Sequence, residues 1–282
     1  MHKRNSMTKR IVKIVLTTLL ILVGIVILFS KKEKQESYAI RSYSEIMNSG
    51  YINAVTEYNS ISYYMNNDTI EGFDYELLHA FGKAKGIAVR VSPEMSYEKR
   101  FEGILKGKYD LLAAGTLVNK LSKDSLLFTH TLLLSKQVLI QRKPENGNDS
   151  LLLKNVLNLR GKTIHTIKNS PATQRLHHLM NEIADTIYIE EIEQYGPEQL
   201  VAMVAAGEID YAVCSDNIAQ KAQKEYNNIN ISTDISFTQF YAWAVNKKSG
   251  ELADSLNSWM KTYTHTKEYK KLYSKYFKQT LK

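Results

Sequence analysis

At 282 residues the chain is long enough for two domains of ordinary size, and a 44% hydrophobic content is that of a globular protein. Its one cysteine, Cys214, excludes an intrachain disulfide and a paired-cysteine metal site. The net charge of +8 sits at the ends: residues 1–36 hold eight Lys/Arg and two acids, and residues 261–282 hold seven Lys and one Glu. Residues 37–260 have 22 basic against 26 acidic residues, so the body is mildly acidic and implies no nucleic-acid partner.

The N-terminus is basic, with Lys3, Arg4, Lys9 and Arg10 before IVKIVLTTLLILVGIVILF. That run, residues 11–29, is apolar apart from Lys13 and spans roughly 28 Å as a helix, about one bilayer core. Lys13 lies near enough to the end to snorkel. The flank after the run mixes Lys31, Lys32 and Lys34 with Glu33 and Glu36, so the charge bias puts the N-terminus in the cytoplasm and the body in the periplasm or exterior. Ser37-Tyr38-Ala39 would suit signal cleavage but follows a charged spacer, so the expectation is an uncleaved, single-pass anchor in the cytoplasmic membrane.

After a polar lead-in, Ile52 to Val55 reads as a strand, and a loop rich in tyrosine follows. GFDYELLHAFGKAKGIAVRV then supplies a helix and a strand: Asp74 as a cap, Leu77, Leu78 and Phe81 as an apolar stripe, Gly86 as the stop, and Ile87, Val89 and Val91 alternating. KGKYDLLAAG follows, and the chain repeats its grammar at AAGEIDYAVCS, with Gly107 and Gly207, and Asp110 and Asp210, each one hundred residues apart. In both copies an apolar-periodic helix ends at a glycine and an aspartate opens a short apolar run, suited to a strand buried on both faces. Each copy closes an α/β unit, and two such units suggest two lobes.

QVLIQRK reads as an extended exit from the first lobe, and PENGNDS as a turn-rich boundary. The second set runs through a strand within residues 159–167, a helix capped by Ser170 with Pro171 in its first turn, strands at 186–190 and 229–232, and a returning extended run at 241–245. Two helices finish the chain, the last with Tyr269, Leu272, Tyr273 and Tyr276 or Phe277 inward and its lysines solvated. The adjacent His177 and His178 cannot chelate together on a helix, and Glu190, Glu191 and Glu193 read as solvated. No nucleophile motif, phosphate loop, metal site or cofactor site is found.

GFDYELLHAFGKAKGI, YDLLAAGT, LNLRGKTIHTIKNSPA, GEIDYAVCSDNIA and EYKKLYSKYF resemble, in order and spacing, the motifs of type II periplasmic solute-binding proteins, in particular the amino-acid-receptor branch. The likeness covers about residues 50–278. It implies a two-lobed α/β fold with two crossing strands, here preceded by the transmembrane helix. Lobe 1 takes residues 37–138 and 241–282, lobe 2 takes residues 139–240, and residues 1–36 are tip and anchor. A cleft between the lobes would close by a hinge near residues 137–139 and 241–245. A narrower likeness is to the non-catalytic receptor-like region of membrane-bound lytic transglycosylases. The chain stops at Lys282, where a catalytic domain would follow, so enzyme activity is not carried over.

Amino-acid receptors of this family hold the ligand carboxylate with an arginine in the pattern AAG-x-T-x-T-x-x-R. Here Gly115 is the glycine, Leu117 and Asn119 fall at the threonines, and Ser122 falls at the arginine with Lys123 after it. A lysine does not reproduce a bidentate guanidinium fork. The acid that holds the ammonium falls at Ser215, with Asp216 next. Tyr58 matches a cleft aromatic, with Tyr63 nearby, and Ser170 and Ala172 open a helix where an anion is favoured. For each there is a plain structural alternative: lobe packing for the tyrosines, helix capping for Ser170, Ser215 and Asp216. The altered clamp points to a peptide, muropeptide or amino-acid-like ligand, with a transporter or cell-wall enzyme as a possible partner. A ligand-degenerate regulatory module acting on a wall enzyme is the alternative, and an enzyme on the same fold would need an acid–base pair that the sequence does not reveal.

Overall fold

A computed structural model of the chain describes residues 17–18, 38–144 and 147–277. Two compact units divide at Tyr38, and the second, Ala39–Lys282, contains every strand among the described residues and both large sheets. Residues 11–29, expected to cross a membrane, lie outside the described residues apart from Thr17 and Thr18. Among the described residues no helix is long and apolar enough to cross a bilayer.

The first lobe begins with α1 (Tyr43–Ser49), which opens on a reciprocal capping box of Ser42 and Glu45 and ends at left-handed Gly50. β1 (Tyr51–Thr56), α2 (Phe73–Lys85), β4 (Ala88–Pro93), α3 (Tyr97–Leu105) and β5 (Leu111–Leu117) then alternate, with a small β2–β3 hairpin (Tyr64–Asn66, Thr69–Glu71) between β1 and α2. β1 pairs in parallel with β4 and with β5. After α4 (Lys120–Ser125), the short strands β6 (Leu126–Phe128) and β7 (Leu133–Ser135) finish this stretch.

The second sheet starts at β8 (Gln137–Arg142) and gathers β9 (Thr163–Ile167), β10 (Tyr188–Ile192), β11 (Tyr211–Ser215) and β12 (Ile229–Asp234) in the order β10-β9-β11-β8-β12. Helices α5 (Pro171–Ile183), α6 (Pro197–Ala206) and α7 (Asp216–Ala222) connect them. The chain then returns as β13 (Gln239–Asn246), which joins the first sheet in the order β4-β1-β5-β13-β6, with β7 also on β13. Helices α8 (Gly250–Tyr263) and α9 (Lys267–Phe277) complete it.

Both sheets therefore follow one plan: parallel strands under crossover helices, plus a strand running the other way. β13 is antiparallel to β5, and β8 is antiparallel to β11. The runs at 137–143 and 241–245 are thus sheet strands, and the segments between the sheets are Lys136 and residues 235–238. Those two segments are stitched together, since Ile235 N donates to Gln137 O (2.8 Å) and Gln137 N to Ser236 Oγ (2.9 Å).

Parallel strands covered on both faces are apolar throughout, and β5 is buried at every position but Gly115. On the outer side, α2 lays Leu77, Leu78 and Phe81 against the sheet, and α9 packs on α2. Phe73 meets Tyr269, Tyr273, Tyr276 and Phe277 edge-on at ring distances of 4.8–6.3 Å. Both aromatics left open in the last turn of α9 face inward.

Asp74 departs from the expected cap. The N-cap of α2 is Gly72, which has no side-chain bond, and its φ of +145 with the Ser62 carbonyl 2.2 Å from any added Cβ excludes other residues. Asp74 is the second residue of the helix, 3% exposed, and accepts a hydrogen bond from Trp243 Nε1 (2.6 Å). A partner 169 residues away, on β13, takes the carboxylate that local grammar assigned to the helix end.

Candidate functional site

In open α/β sheets ligands gather beyond the carboxyl ends of parallel strands, where side chains leave the sheet and helices begin. Here the two sheets bring those ends together. β1 delivers Glu57, β5 delivers Gly115 and Thr116, β9 leads to Ser170, and β11 ends at Ser215; all of them line one cavity of about 130 Å³. Gln137 and Tyr241, on the strands after the two segments between the lobes, close its floor with a bond from Gln137 Nε2 to Tyr241 Oη (3.0 Å).

Contacts across the mouth join the lobes on two sides. Ser60 N donates to Glu198 Oε1 on α6 (2.8 Å), and Lys221 Nζ on α7 donates to Ser60 O. On the other side Asn169 Nδ2, before α5, donates to Glu98 Oε2 on α3 (3.2 Å).

Of the residues singled out in the sequence, Gly115, Ser170, Ala172 and Ser215 line the cavity. Ser170 is also the expected cap, its Oγ accepting from Thr173 N (3.3 Å). Asn119 and Ser122 lie on a shallower rim pocket with Tyr97, Glu98 and Asn169. Their side chains are spent on each other: Ser122 N donates to Asn119 Oδ1 (2.8 Å), and Asn119 N to Ser122 Oγ (3.1 Å), opening α4. Leu117 is 7% exposed within β5, and Lys123 is exposed on α4 away from the cavity lining. Asp216 is turned to the segment between the lobes, where it accepts from Ser135 Oγ (2.6 Å) and Lys136 N (3.3 Å). Tyr58 and Tyr63 are not on the lining; their rings pair at 6.1 Å, and Tyr63 meets Tyr75 edge-on at 5.6 Å. Tyr63 is thus part-buried within the first lobe, while Tyr58 stays 40% exposed beside it.

The charged groups of the cavity were not legible. Arg100, on α3, is 5% exposed; its Nη1 donates to the carbonyls of Glu94 (2.6 Å) and Met95 (2.9 Å), and its Nη2 to Glu57 Oε2 (3.2 Å). Burial pushes the Asp74 carboxyl up to about 7, partly opposed by the Trp243 bond and reinforced by the charge of Glu57. Burial also raises Glu198, against the stabilising bonds from Ser60, and lowers Lys221. Burial pushes the Cys214 thiol up, which disfavours the thiolate. Among the described residues no cluster of His, Cys, Asp and Glu could hold a metal ion.

Two sheets of this topology around a shared cleft define a two-lobed α/β protein of the periplasmic-binding type. Residues 52–279 match the bacterial extracellular solute-binding proteins, family 3, and the chain belongs to that family. Solved structures with this fold include holo ArgBP from T. maritima (TM-score 0.68, 19% identity, 83% of this chain and 99% of that one). Another is the ancestral amino acid-binding protein AncCDT-1, a precursor of cyclohexadienyl dehydratase (TM-score 0.73, 20% identity, 83% and 99%). In sequence the chain is similar to membrane-bound lytic murein transglycosylase F of Photobacterium profundum, 26% identical over 73% of this chain and 40% of the relative. The protein of that name in Desulfosudis oleivorans is 26% identical over 95% of this chain and 56% of its own length. The chain thus spans about half the length of the curated relatives it matches.

Proposed function

We propose that the protein is a membrane-anchored, extracytoplasmic receptor whose lobes close on one small, amino-acid-like molecule. The observation that carries this reading is the cavity itself, formed where strand ends of both lobes meet and bridged at its mouth from either side. Its volume of about 130 Å³ is of the order of cavities that hold a benzene ring, roughly 150 Å³. That supports an amino-acid-sized ligand over a muropeptide, which would have to hold the lobes apart. Closure would turn on Lys136 and residues 235–238, and residues 11–29 would tether the body to the cytoplasmic membrane, with the N-terminus inside.

Thermal unfolding of the full chain in mild detergent, against amino acids, dipeptides, muropeptides and small sugars, tests the ligand class. A ligand at a hundred times its dissociation constant adds about 2.7 kcal/mol. A melting shift with amino acids alone is the expected result, and a shift confined to muropeptides would refute it. The names of the curated relatives favour one second reading, a module that regulates a cell-wall lytic transglycosylase. That reading predicts no shift with any small molecule and altered turnover of such an enzyme when the purified chain is added.

A further inference from the structure

The outer end of the first lobe, where its parallel strands begin, carries a charge unlike that of the rest of the body. Its turns (residues 39–41, 48–51, 83–88, 105–110, 124–126 and 246–250) hold seven lysines and arginines against two aspartates. The matching turns of the second lobe (residues 142–144, 159–163, 184–188, 206–211 and 226–229) hold four against three. The second lobe also pairs its arginines, Arg142 with Asp210 (2.9 Å) and Arg160 with Asp185 (2.6 Å). In the first, Arg41 is taken by the buried Asp110 and Lys106 by Glu102 (2.7 Å). Lys83, Lys85, Lys108, Lys247 and Lys248 meet no carboxylate among the described residues.

Local needs account for only part of this. Lys83, Lys85 and Lys106 stand at the C-terminal ends of α2 and α3, where cations complement the helix dipole. Lys108 is exposed outside any helix, and the exposed Lys247 and Lys248 come just before α8, at an N-terminus that disfavours cations. Lys247 Nζ donates to the Asp124 carbonyl (3.0 Å), which leaves its charge uncompensated. The chain enters the body at this same end: the backbone at Ala39 and Ile40 lies against Gly107, and Arg41 donates to Ser49 Oγ (2.9 Å). Residues 30–38 separate that entry from the apolar run 11–29, and nine residues reach at most roughly 30 Å.

We propose that this basic end is a membrane-docking face, which rests Lys108, Lys247 and Lys248 on anionic phospholipid headgroups. The assignment rests on the anchoring part of the receptor reading and adds an orientation to it. The cavity lies at the opposite ends of the strands, so docking keeps the cleft and the second lobe on the side away from the bilayer. A tether this short keeps the lysines at high effective concentration over the surface. Each lysine beside an anionic surface favours the docked state by about fivefold, and three together by roughly a hundredfold.

The test places a fluorophore on Asn48→Cys, exposed at this end, in the full chain reconstituted into vesicles; the native Cys214 is buried and stays unlabelled. The vesicles carry a headgroup quencher in phosphatidylcholine alone or in equal parts of phosphatidylcholine and phosphatidylglycerol. Quenching is expected with phosphatidylglycerol and not without it, and it should vanish at about 1 M salt, where screening shortens to about 3 Å. A label on Glu208→Cys, exposed at the outer end of lobe 2, should not be quenched. Replacing Lys108, Lys247 and Lys248 together by glutamine should lower the docked-to-free ratio roughly a hundredfold, and replacing them by arginine should preserve it. Quenching that is equal in the two lipids, or unchanged in the glutamine variant, overturns the docking face. The anchor reading then still stands if the chain floats with the vesicles after alkaline extraction. Release of the chain by that extraction overturns the anchor and the docking face together. Absence of quenching, with retention of the detergent-solubilised chain on immobilised polyglutamate, overturns the lipid assignment in favour of an acidic polymer.

Discussion

The same short grammar, a helix ending at glycine followed by an aspartate and a buried strand, occurs once in each lobe, and the two copies are finished differently. In the first, Asp110 is 7% exposed; its carboxylate receives Asn53 N (2.7 Å) and the guanidinium of Arg41, whose Nε donates at 3.0 Å. The backbone at Ala39 and Ile40 lies directly against Gly107. In the second, the Asp210 side chain is 74% exposed and meets Arg142 from the end of β8. That arginine gives its other donors to Val204 O (3.0 Å) and Ile209 O (2.8 Å), at the end of α6. One copy is sealed under a strap of preceding chain, and the other is open to water with an arginine serving the helix terminus. A motif can thus recur for topology while its polar residue does buried work in one place and solvated work in the other.

The largest expected difference between the lobes lies in their response to pH. The first helix after the leading strand carries a carboxyl, Asp74, in lobe 1, and a neutral hydroxyl, Thr173, in lobe 2, whose Oγ1 donates to Ile167 O (2.9 Å). With Asp74 pushed up to about 7 by burial, the folded chain keeps a proton that the unfolded chain loses near pH 4. The native state binds more protons between those values, so stability falls as pH rises through that window. About three pKa units correspond to roughly 4 kcal/mol. Urea unfolding at a series of pH values should show this decline, and Asp74→Asn, which still accepts from Trp243, should flatten it. A wild-type profile that rises from pH 5 to pH 8 would contradict the assignment.

What could be read in the sequence depends on how local each signal is. The helix stops, the strand runs and the amphipathic last helix depend on neighbours within a turn or two, and all of them are present. The lining residues legible in the sequence, Gly115, Ser170, Ala172 and Ser215, sit at or just beyond strand ends that the motifs themselves locate. Glu57 and Arg100 carry no such mark. Each stands in an ordinary polar stretch, and their meeting requires β1 beside β5 and α3 over that edge. Asn119 and Ser122 mislead for the opposite reason: their spacing matches a ligand pattern, while the same spacing also makes a capping box, and the local bond is the one formed.

The buried aspartate should separate the two copies by the next largest amount. Asp110→Ala strips a partly buried arginine of its partner and leaves Asn53 N–H without an acceptor, at a cost of about 3 kcal/mol. Asp210→Ala removes an exposed ion pair and should change stability by about 0.5 kcal/mol or less. Chemical denaturation midpoints of the two variants at one pH give the comparison directly. Equal losses would mean that Arg41 does not seal the first copy.

The glycines give the finest contrast, because both have left-handed backbones and only their surroundings differ. Gly107 has φ +78 and Gly207 φ +86, so alanine at either carries the cost of that conformation, about 1 kcal/mol. At Gly207 an added Cβ would meet the Arg142 guanidinium at 3.8 Å, an ordinary contact with a side chain that can adjust. At Gly107 it would lie 2.8 Å from the Ala39 carbonyl carbon and the Ile40 nitrogen, and backbone cannot move aside without lifting the strap that also carries Arg41. Gly107→Ala is therefore expected to lose about 2 kcal/mol, roughly double the loss of Gly207→Ala. Part of that loss should be shared with Asp110→Ala, since both free the same segment. A double variant less destabilised than the sum of its parts would locate the coupling in residues 39–41, and strict additivity would place the two effects in separate structures.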